Sequence, residues 1–420
     1  MIISADLHIH SRFSAATSEK MSIETISLEA PRKGIQLLST GDCLHDGWMK
    51  EVKQCREVDE GTFELNNTRF ILGVEVEDKN RVHHLIYFPS LSSLQDFKER
   101  VAPKSKNLDT DGRPNIDMDG AMLATLAKDV DALIGGAHIF TPWTSMYAVH
   151  KSLENCYGDM AHYVSFVELG LSADTDYADR IQELHRLTYL TNSDSHSPHP
   201  VRLAREFTRF QVQDATFKEI KKALLREGGN QPVLNVGLPP QEGKYNESAC
   251  ISCYTHYTLE EAERRRWRCQ CGKRIKKGVK DRVEEIATFK EPCHPPHRPP
   301  YIHLIPLAEI IAKALGQYTP FTQSVSKHWT DLINVFGSEI NVLIDADIEH
   351  IRKVTVPAVS DAIQAFREKK VIIIPGGGGK YGEIRLPTQE EAAVLKSEPK
   401  NKQTSLLEYD EKIIKNMILN

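Results

Sequence analysis

The chain is 420 residues long, enough for two or three domains with separate cores. With 40% apolar and 26% charged residues its composition is that of ordinary soluble proteins, and no apolar run approaches the roughly 20 residues that span a bilayer. A net charge of −5 gives no overall pull toward nucleic acid, and the first residues lack the pattern of a signal peptide, so a cytoplasmic location is expected.

From residue 1 to 235, short β-rich apolar runs (2–9, 35–40, 69–76, 84–88, 132–137, 163–169, 187–191 and 206–212) alternate with helical periodicity at 22–33, 177–186 and 217–226. This alternation predicts an α/β fold with a mainly parallel sheet, open or closed into a barrel. Residues 103–119 read as a long loop. A Gly/Pro-rich break at 236–248 leads into a small cysteine module at 245–290, and "EPCHPPHRPP" (291–300) reads as an extended linker. A mainly helical domain is expected over 300–400, with helical patterns at 306–315, 324–336 and 359–369 and a strand at 371–374. Residues 401–420 form a polar tail.

Asp6, His8 and His10 alternate in "ADLHIHS", so on a strand their side chains share one face, and two such imidazoles suit one divalent ion. Later β-rich runs carry the same chemistry: "TGD" ends in Asp42, "GVEVE" presents Glu75, "HHLIYF" opens with His83 and His84, "GGAH" ends in His138, and "SDSH" presents Asp194 and His196. In a barrel of this type the carboxyl ends of strands converge on one mouth. Glu75 lies in an apolar run, where an unpaired carboxylate is costly. Only one of His83 and His84 can face the mouth, and His84, whose strand continues "LIYF", is the one expected there.

These motifs resemble those of the PHP phosphoesterase superfamily. The resemblance implies a distorted seven-stranded (βα) barrel with two or three divalent metals, commonly zinc or manganese; zinc, with magnesium or manganese beside it, is the set expected here. Carried over by position, His8, His10, Glu75 and Asp194 hold one metal, Glu75 bridges to a second held by His84 and His138, and Asp42 and His196 lean toward a third. The family's further ligand after the first motif is replaced by "SRFSAATSE", which weakens the third site. Such cations supply a hydroxide at neutral pH and offset phosphoryl charge; Asp194 is expected to orient that hydroxide or move its proton, with Glu75 as the bridge.

Cys250 and Cys253 ("CISC") with Cys269 and Cys271 ("CQC") approximate a four-thiolate structural zinc site, with His256 or Cys293 as substitutes if one thiolate falls short. Around it, residues 264–282 hold ten Lys or Arg, among them Arg264, Arg265, Arg266, Lys273, Arg274, Lys276 and Lys277, against one acid, Asp281. The plain reading is a solvated face; fused to a phosphoesterase, the stretch points to a phosphodiester polymer. The loop "PGGGGKYG" (375–382) lacks the Ser or Thr that a nucleotide-binding P-loop places after Lys, and serves either a close backbone approach or a tight turn.

Beyond the superfamily, "ELGLSADTDYADR", "SDSHSPHPVRLARE", "HPPHRPPYIHLIPLAEII" and "VIIIPGGGGKYGEI" resemble the endonuclease Q family of repair nucleases. That resemblance implies cleavage of DNA 5′ to deaminated bases (hypoxanthine, xanthine, uracil) or abasic sites, with the damaged nucleotide extruded beside the metals. Phe13, Trp143 and Tyr147 are the aromatics nearest the motifs. The alternatives are a small-molecule PHP phosphatase and a DNA-binding protein with an inactive PHP domain. In the tail, Gln403, Leu406 and Tyr409 have the spacing of peptides that dock on the sliding clamp PCNA; the competing reading is an amphipathic helix on the body.

Overall fold

The structure, a computed structural model, describes residues 1–388 and 391. Gln403, Leu406 and Tyr409 lie outside them. The strands are β1 (Ile2–Asp6), β2 (Leu37–Ser39), β3 (Arg56–Asp59), β4 (Thr62–Leu65), β5 (Thr68–Ile71), β6 (Gly73–Glu77), β7 (His83–Tyr87), β8 (Leu133–Gly136), β9 (Phe166–Glu168), β10 (Thr188–Leu190), β11 (Phe207–Gln211) and β12 (Gln231–Gly237). Later come β13 (Ala249–Cys250), β14 (Ile275–Lys276), β15 (Tyr301–His303), β16 (Ile372–Ile374) and β17 (Glu383–Arg385).

β1, β2 and β5 pair in parallel, and one residue, Leu72, carries the chain from β5 into β6. β6, β7 and β8 are antiparallel, whereas β8, β9 and β10 are again parallel. Beyond β10, Ser195 bridges back to Ile9, its carbonyl accepting the His10 N–H at 2.9 Å. The eight- and five-stranded sheets are thus joined at both ends, and the strand ends face a common mouth, as expected of a distorted PHP-type barrel. The sheet is mixed, not mainly parallel, because the β6–β7–β8 meander and the antiparallel β11 and β12 flank the parallel strands.

The helix Ile23–Lys33 shows how local chemistry sets these layers. Ser22 caps its first turn by accepting from the Thr25 N–H, Ile23, Ile26 and Ala30 face the core, and Gly34 stops it at φ +95. Its last residue, Lys33, is 1% exposed, donates to Glu339 at 2.5 Å and ties the barrel to the C-terminal helices. The periodicity at 177–186 does not make one helix. It breaks into Thr175–Ala178 and a 3₁₀ turn, Gln182–Leu184, because the intervening Asp179 turns inward to accept from Tyr189, at 2.8 Å, and from Arg298, at 2.9 Å. Arg298 belongs to the Pro-rich segment, and its side chain, 2% exposed, anchors that extended and mostly exposed stretch to the barrel.

The helices Leu307–Ala314, Gln323–Phe336 and Pro357–Arg367 occupy the expected C-terminal region, with Ile348–Val354 as a fourth that the periodicity did not reveal. β12 crosses the expected boundary at 235 and pairs in parallel with β15, so the C-terminal region contributes a strand to the barrel's own sheet. The glycine loop is a tight turn packed on the cysteine module: a Cβ on Gly378, at φ +65, would meet the Cys250 carbonyl at 2.3 Å. No helix among the described residues is long and apolar enough to cross a membrane.

Candidate metal centre

Four donors converge at the mouth. His8 Nε2 lies 3.6 Å from Glu75 Oε2 and 3.6 Å from Asp194 Oδ1, and His10 Nε2 lies 3.1 and 3.2 Å from the same two oxygens. A tetrahedral cation with bonds of about 2.1 Å needs ligand–ligand edges of about 3.4 Å, so the spacing is that of a coordination shell. His8 Nε2, His10 Nε2 and Asp194 Oδ1 are buried atoms without a hydrogen-bond partner, a costly arrangement unless a cation completes it. The other oxygen of Glu75 faces a second group: Oε1 is 2.7 Å from His83 Nδ1 and 2.9 Å from His138 Nε2. Glu75 therefore spans both groups.

The second group holds His83, and not His84. In the β6–β7 ladder Glu77 opposes His83, Val76 opposes His84 and Glu75 opposes Leu85. Opposed residues point to one face, so His83 shares the Glu75 face and His84 the Val76 face. His84 instead sits with Tyr157 and Asp78, its Nδ1 2.8 Å from the phenol and its Nε2 3.4 Å from Asp78 Oδ2. Asp42 also lies outside both groups. It takes hydrogen bonds from the Ser11 N–H and hydroxyl, both at 2.6 Å, and sits 3.0 Å from His10 Nδ1, which fixes that ring. His196 lies against His10 with the ring planes tilted, centroids 4.5 Å apart, and its Nδ1 meets the Asp194 carbonyl at 3.0 Å. No third donor group forms around Asp42 and His196 among the described residues.

Two participants escaped the sequence reading. Glu168, at the end of β9, holds both oxygens 3.0 Å from His8 Nδ1 and accepts from Asn192 and the His138 N–H, both at 2.8 Å. It orients His8 as carboxylates commonly orient metal-binding imidazoles. Its signal was the one that marked Glu75: a carboxylate inside an apolar run. Arg113 gave no signal, lying in the aperiodic 103–119 loop, yet its Nη1 reaches Glu75 Oε2 at 3.3 Å.

The electrostatics suit cations. Burial opposes charge on Glu75 and Asp194, but His83 and His8 hold Glu75 well below the usual carboxylate range, and His8 and His10 do the same for Asp194. Burial also works against a proton on His83, yet the Glu75 carboxylate lifts it to about 9. Asp42, His138 and Asp194 all adopt positive φ, at 48°, 29° and 48°. Non-glycine residues persist there only where their surroundings over-determine them, as at functional sites.

In the cysteine module, Cys250 Sγ is 3.5 Å from Cys271 Sγ and Cys253 Sγ is 3.5 Å from Cys269 Sγ. Zinc–sulfur bonds of about 2.3 Å need edges of about 3.8 Å, so the four thiols fit one ion and neither substitute is needed. His256 is engaged by Glu247 at 2.9 Å. Arg264, Arg265, Arg266, Lys273 and Arg274 are exposed, while Lys277 pairs with Glu285 and Lys276 covers the Trp143 ring. Arg282 docks the module on the loop after β8, donating to the Tyr147 and His150 carbonyls at 2.9 and 3.1 Å.

Comparison with known proteins agrees with this architecture. Residues 306–370 match the family model for the MJ0043 C-terminal domain. The uncharacterized protein MJ0043 of Methanocaldococcus jannaschii is 47% identical over 257 residues, which is 60% of this chain and 32% of that longer protein. The solved lesion-specific endonuclease PfuEndoQ of Pyrococcus furiosus is 49% identical, with a TM-score of 0.90 over 95% of this chain and 98% of that one. A complex of endonuclease Q with a 27-mer duplex substrate, an abasic lesion at its active site, is 50% identical with a TM-score of 0.87 over 93% and 98% of the two chains. Half the residues are identical over nearly the full length of both chains, and the chain belongs to the endonuclease Q family.

Proposed function

We propose that this protein hydrolyses the phosphodiester bond on the 5′ side of a deaminated base or abasic site in DNA, leaving a 3′-hydroxyl and a 5′-phosphate. As a member of the endonuclease Q family it is a metal-dependent DNA endonuclease. Hydrolysis is supported by Glu75, whose two oxygens each face a separate set of imidazoles, at 3.1 Å on one side and at 2.7 and 2.9 Å on the other, and a lesion substrate by the family member solved with an abasic lesion at its active site. Two divalent cations fit these donors, zinc or manganese by their nitrogen and oxygen chemistry. Bound there, they would supply a hydroxide at neutral pH and neutralise charge on the phosphoryl oxygens.

The chain's own residues do the rest. His8, His10, Glu75 and Asp194 hold the first cation, and Glu75, His83 and His138 the second; His84 is replaced by His83 in this assignment. Asp194 is the member with an open flank, 32% exposed, and faces incoming substrate, where it orients the nucleophile and takes its proton. Glu168 and Asp42 fix the rings of His8 and His10. Arg113, half-buried beside Glu75, is positioned to meet a phosphoryl oxygen once that carboxylate binds metal. The exposed arginines of residues 264–266 track the DNA backbone, the four cysteines hold structural zinc, and residues 1–235, 245–290 and 300–400 serve as catalytic, zinc and helical DNA-binding parts.

A labelled duplex with one hypoxanthine, uracil or abasic site, incubated beside a sugar phosphate, tests the reading. Cleavage one bond 5′ to the lesion is expected. Phosphate release from the sugar alone would give the phosphatase reading instead, and binding without cleavage by the metal-loaded protein would give the inactive one.

A further inference from the structure

We propose that Trp143 is a wedge that enters the duplex and fills the space left by the extruded nucleotide; this rests on the DNA reading above. The indole stands in the loop that follows His138, and the next residue, Thr144, accepts the His83 backbone N–H through its carbonyl at 3.0 Å. Both ends of this short loop are thereby tied to the second metal group. Trp143 is 57% exposed, whereas Trp48 and Trp329 are buried at 0% and 4% and Trp267 is half-buried in the cysteine module. A ring that packs a core is not displayed this way.

The display is held in place. Trp143 has φ +91, far into the region that a bulky residue avoids, so the loop keeps an unfavourable conformation that presents the ring outward. Lys276 of β14 sets its ammonium 3.2 Å from the ring centroid, and Tyr245 meets the ring edge-on at 6.4 Å. The indole thus joins the metal-centre loop to the basic stretch, with exposed Arg274 and Lys273 continuing from Lys276. His8, His10 and Glu75 are each about 1% exposed, so a lesion in the stack cannot reach them unless its nucleotide leaves the helix. Extrusion leaves a gap in the stack that an apolar plate fills, and an indole is the largest plate a side chain offers.

The test compares one oligonucleotide with a single abasic site, free and annealed to its complement, using the metal-loaded full chain. Trp143→Ala is expected to lower the duplex-to-single-strand ratio of kcat/KM about tenfold or more, since the wedge acts only where a stack must be opened. Trp143→Gly removes the ring and accommodates φ +91, so it is expected to give the same ratio with a Tm no lower than wild type. Equal losses on the free and the annealed substrate would make the ring a base-pocket or supporting group and overturn the wedge. An unchanged ratio overturns it as well. A wild-type chain that cuts neither substrate removes the nuclease reading and the wedge together, whereas wild-type cleavage with a variant of equal ratio removes the wedge alone.

Discussion

The two candidate metal sites of this molecule are built in opposite ways. The four thiols of the cysteine module come from residues 250 to 271, on a two-stranded hairpin and the turns beside it. The donors at the barrel mouth come from residues 8 to 194, spread over five segments in or just after β1, β6, β7, β8 and β10, and the rings of His8 and His10 are steered by Glu168 and Asp42. A local site closes around its ion with four equal ligands and leaves no coordination position open. The distributed site uses a carboxylate shared between two groups and keeps one flank, Asp194, toward solvent. Structural holding needs only short-range geometry; hydrolysis needs donors that the whole barrel positions.

The sharpest way to break this contrast is at the mouth. Asp194→Ala or His8→Ala is expected to abolish cleavage while leaving lesion-DNA binding largely intact, read by gel cleavage and fluorescence anisotropy. Substantial residual cleavage in Asp194→Ala would sink its assigned role. Next comes the strand-face assignment. His83→Ala should lose activity and one bound metal by elemental analysis, His84→Ala should keep that metal, and Glu168→Gln should lower metal affinity or activity about 10- to 100-fold. The reverse order for the two histidines would restore His84 as the ligand.

On the module side, neutralising Arg264, Arg265 and Arg266 together should weaken binding across sequences. It should also flatten the log-affinity against log-salt slope by about one unit for each DNA phosphate left without its arginine. An unchanged slope leaves the stretch a solvated face.

A smaller effect belongs to the barrel alone. Burial pushes Glu206 up to about 8 from its ordinary 4.5, with Oε1 accepting the Leu238 N–H at 2.7 Å and Oε2 unpartnered. A carboxyl raised in the folded state contributes stability that is full below 4.5 and is lost as pH rises through about 8. Urea midpoints are therefore expected to fall across that window, and Glu206→Gln to flatten the fall. The smallest and most peripheral prediction concerns Gln403, Leu406 and Tyr409: a peptide of residues 398–414 should bind PCNA with micromolar affinity by calorimetry. Silence from both peptide and full chain leaves no clamp docking.

The donor chemistry of both sites was legible in the amino-acid order, but strand limits were only roughly so: the run 69–76 is two strands parted at Leu72, and β3 and β4 had no counterpart among the expected runs. His8, His10, Glu75, His138 and Asp194 were legible because ionisable residues in apolar runs announce a partner, and the cysteines because their ligands are neighbours in the chain. Register and packing settled the rest. Whether His83 or His84 faces Glu75 follows from antiparallel pairing of β7 with β6, and a shift of one residue would exchange them. The break at Asp179 depends on Arg298, more than a hundred residues away in the chain, and Arg113 reaches Glu75 from a loop with no periodicity. Such contacts carry no local signature, because the energy that selects them is gained only when distant segments meet.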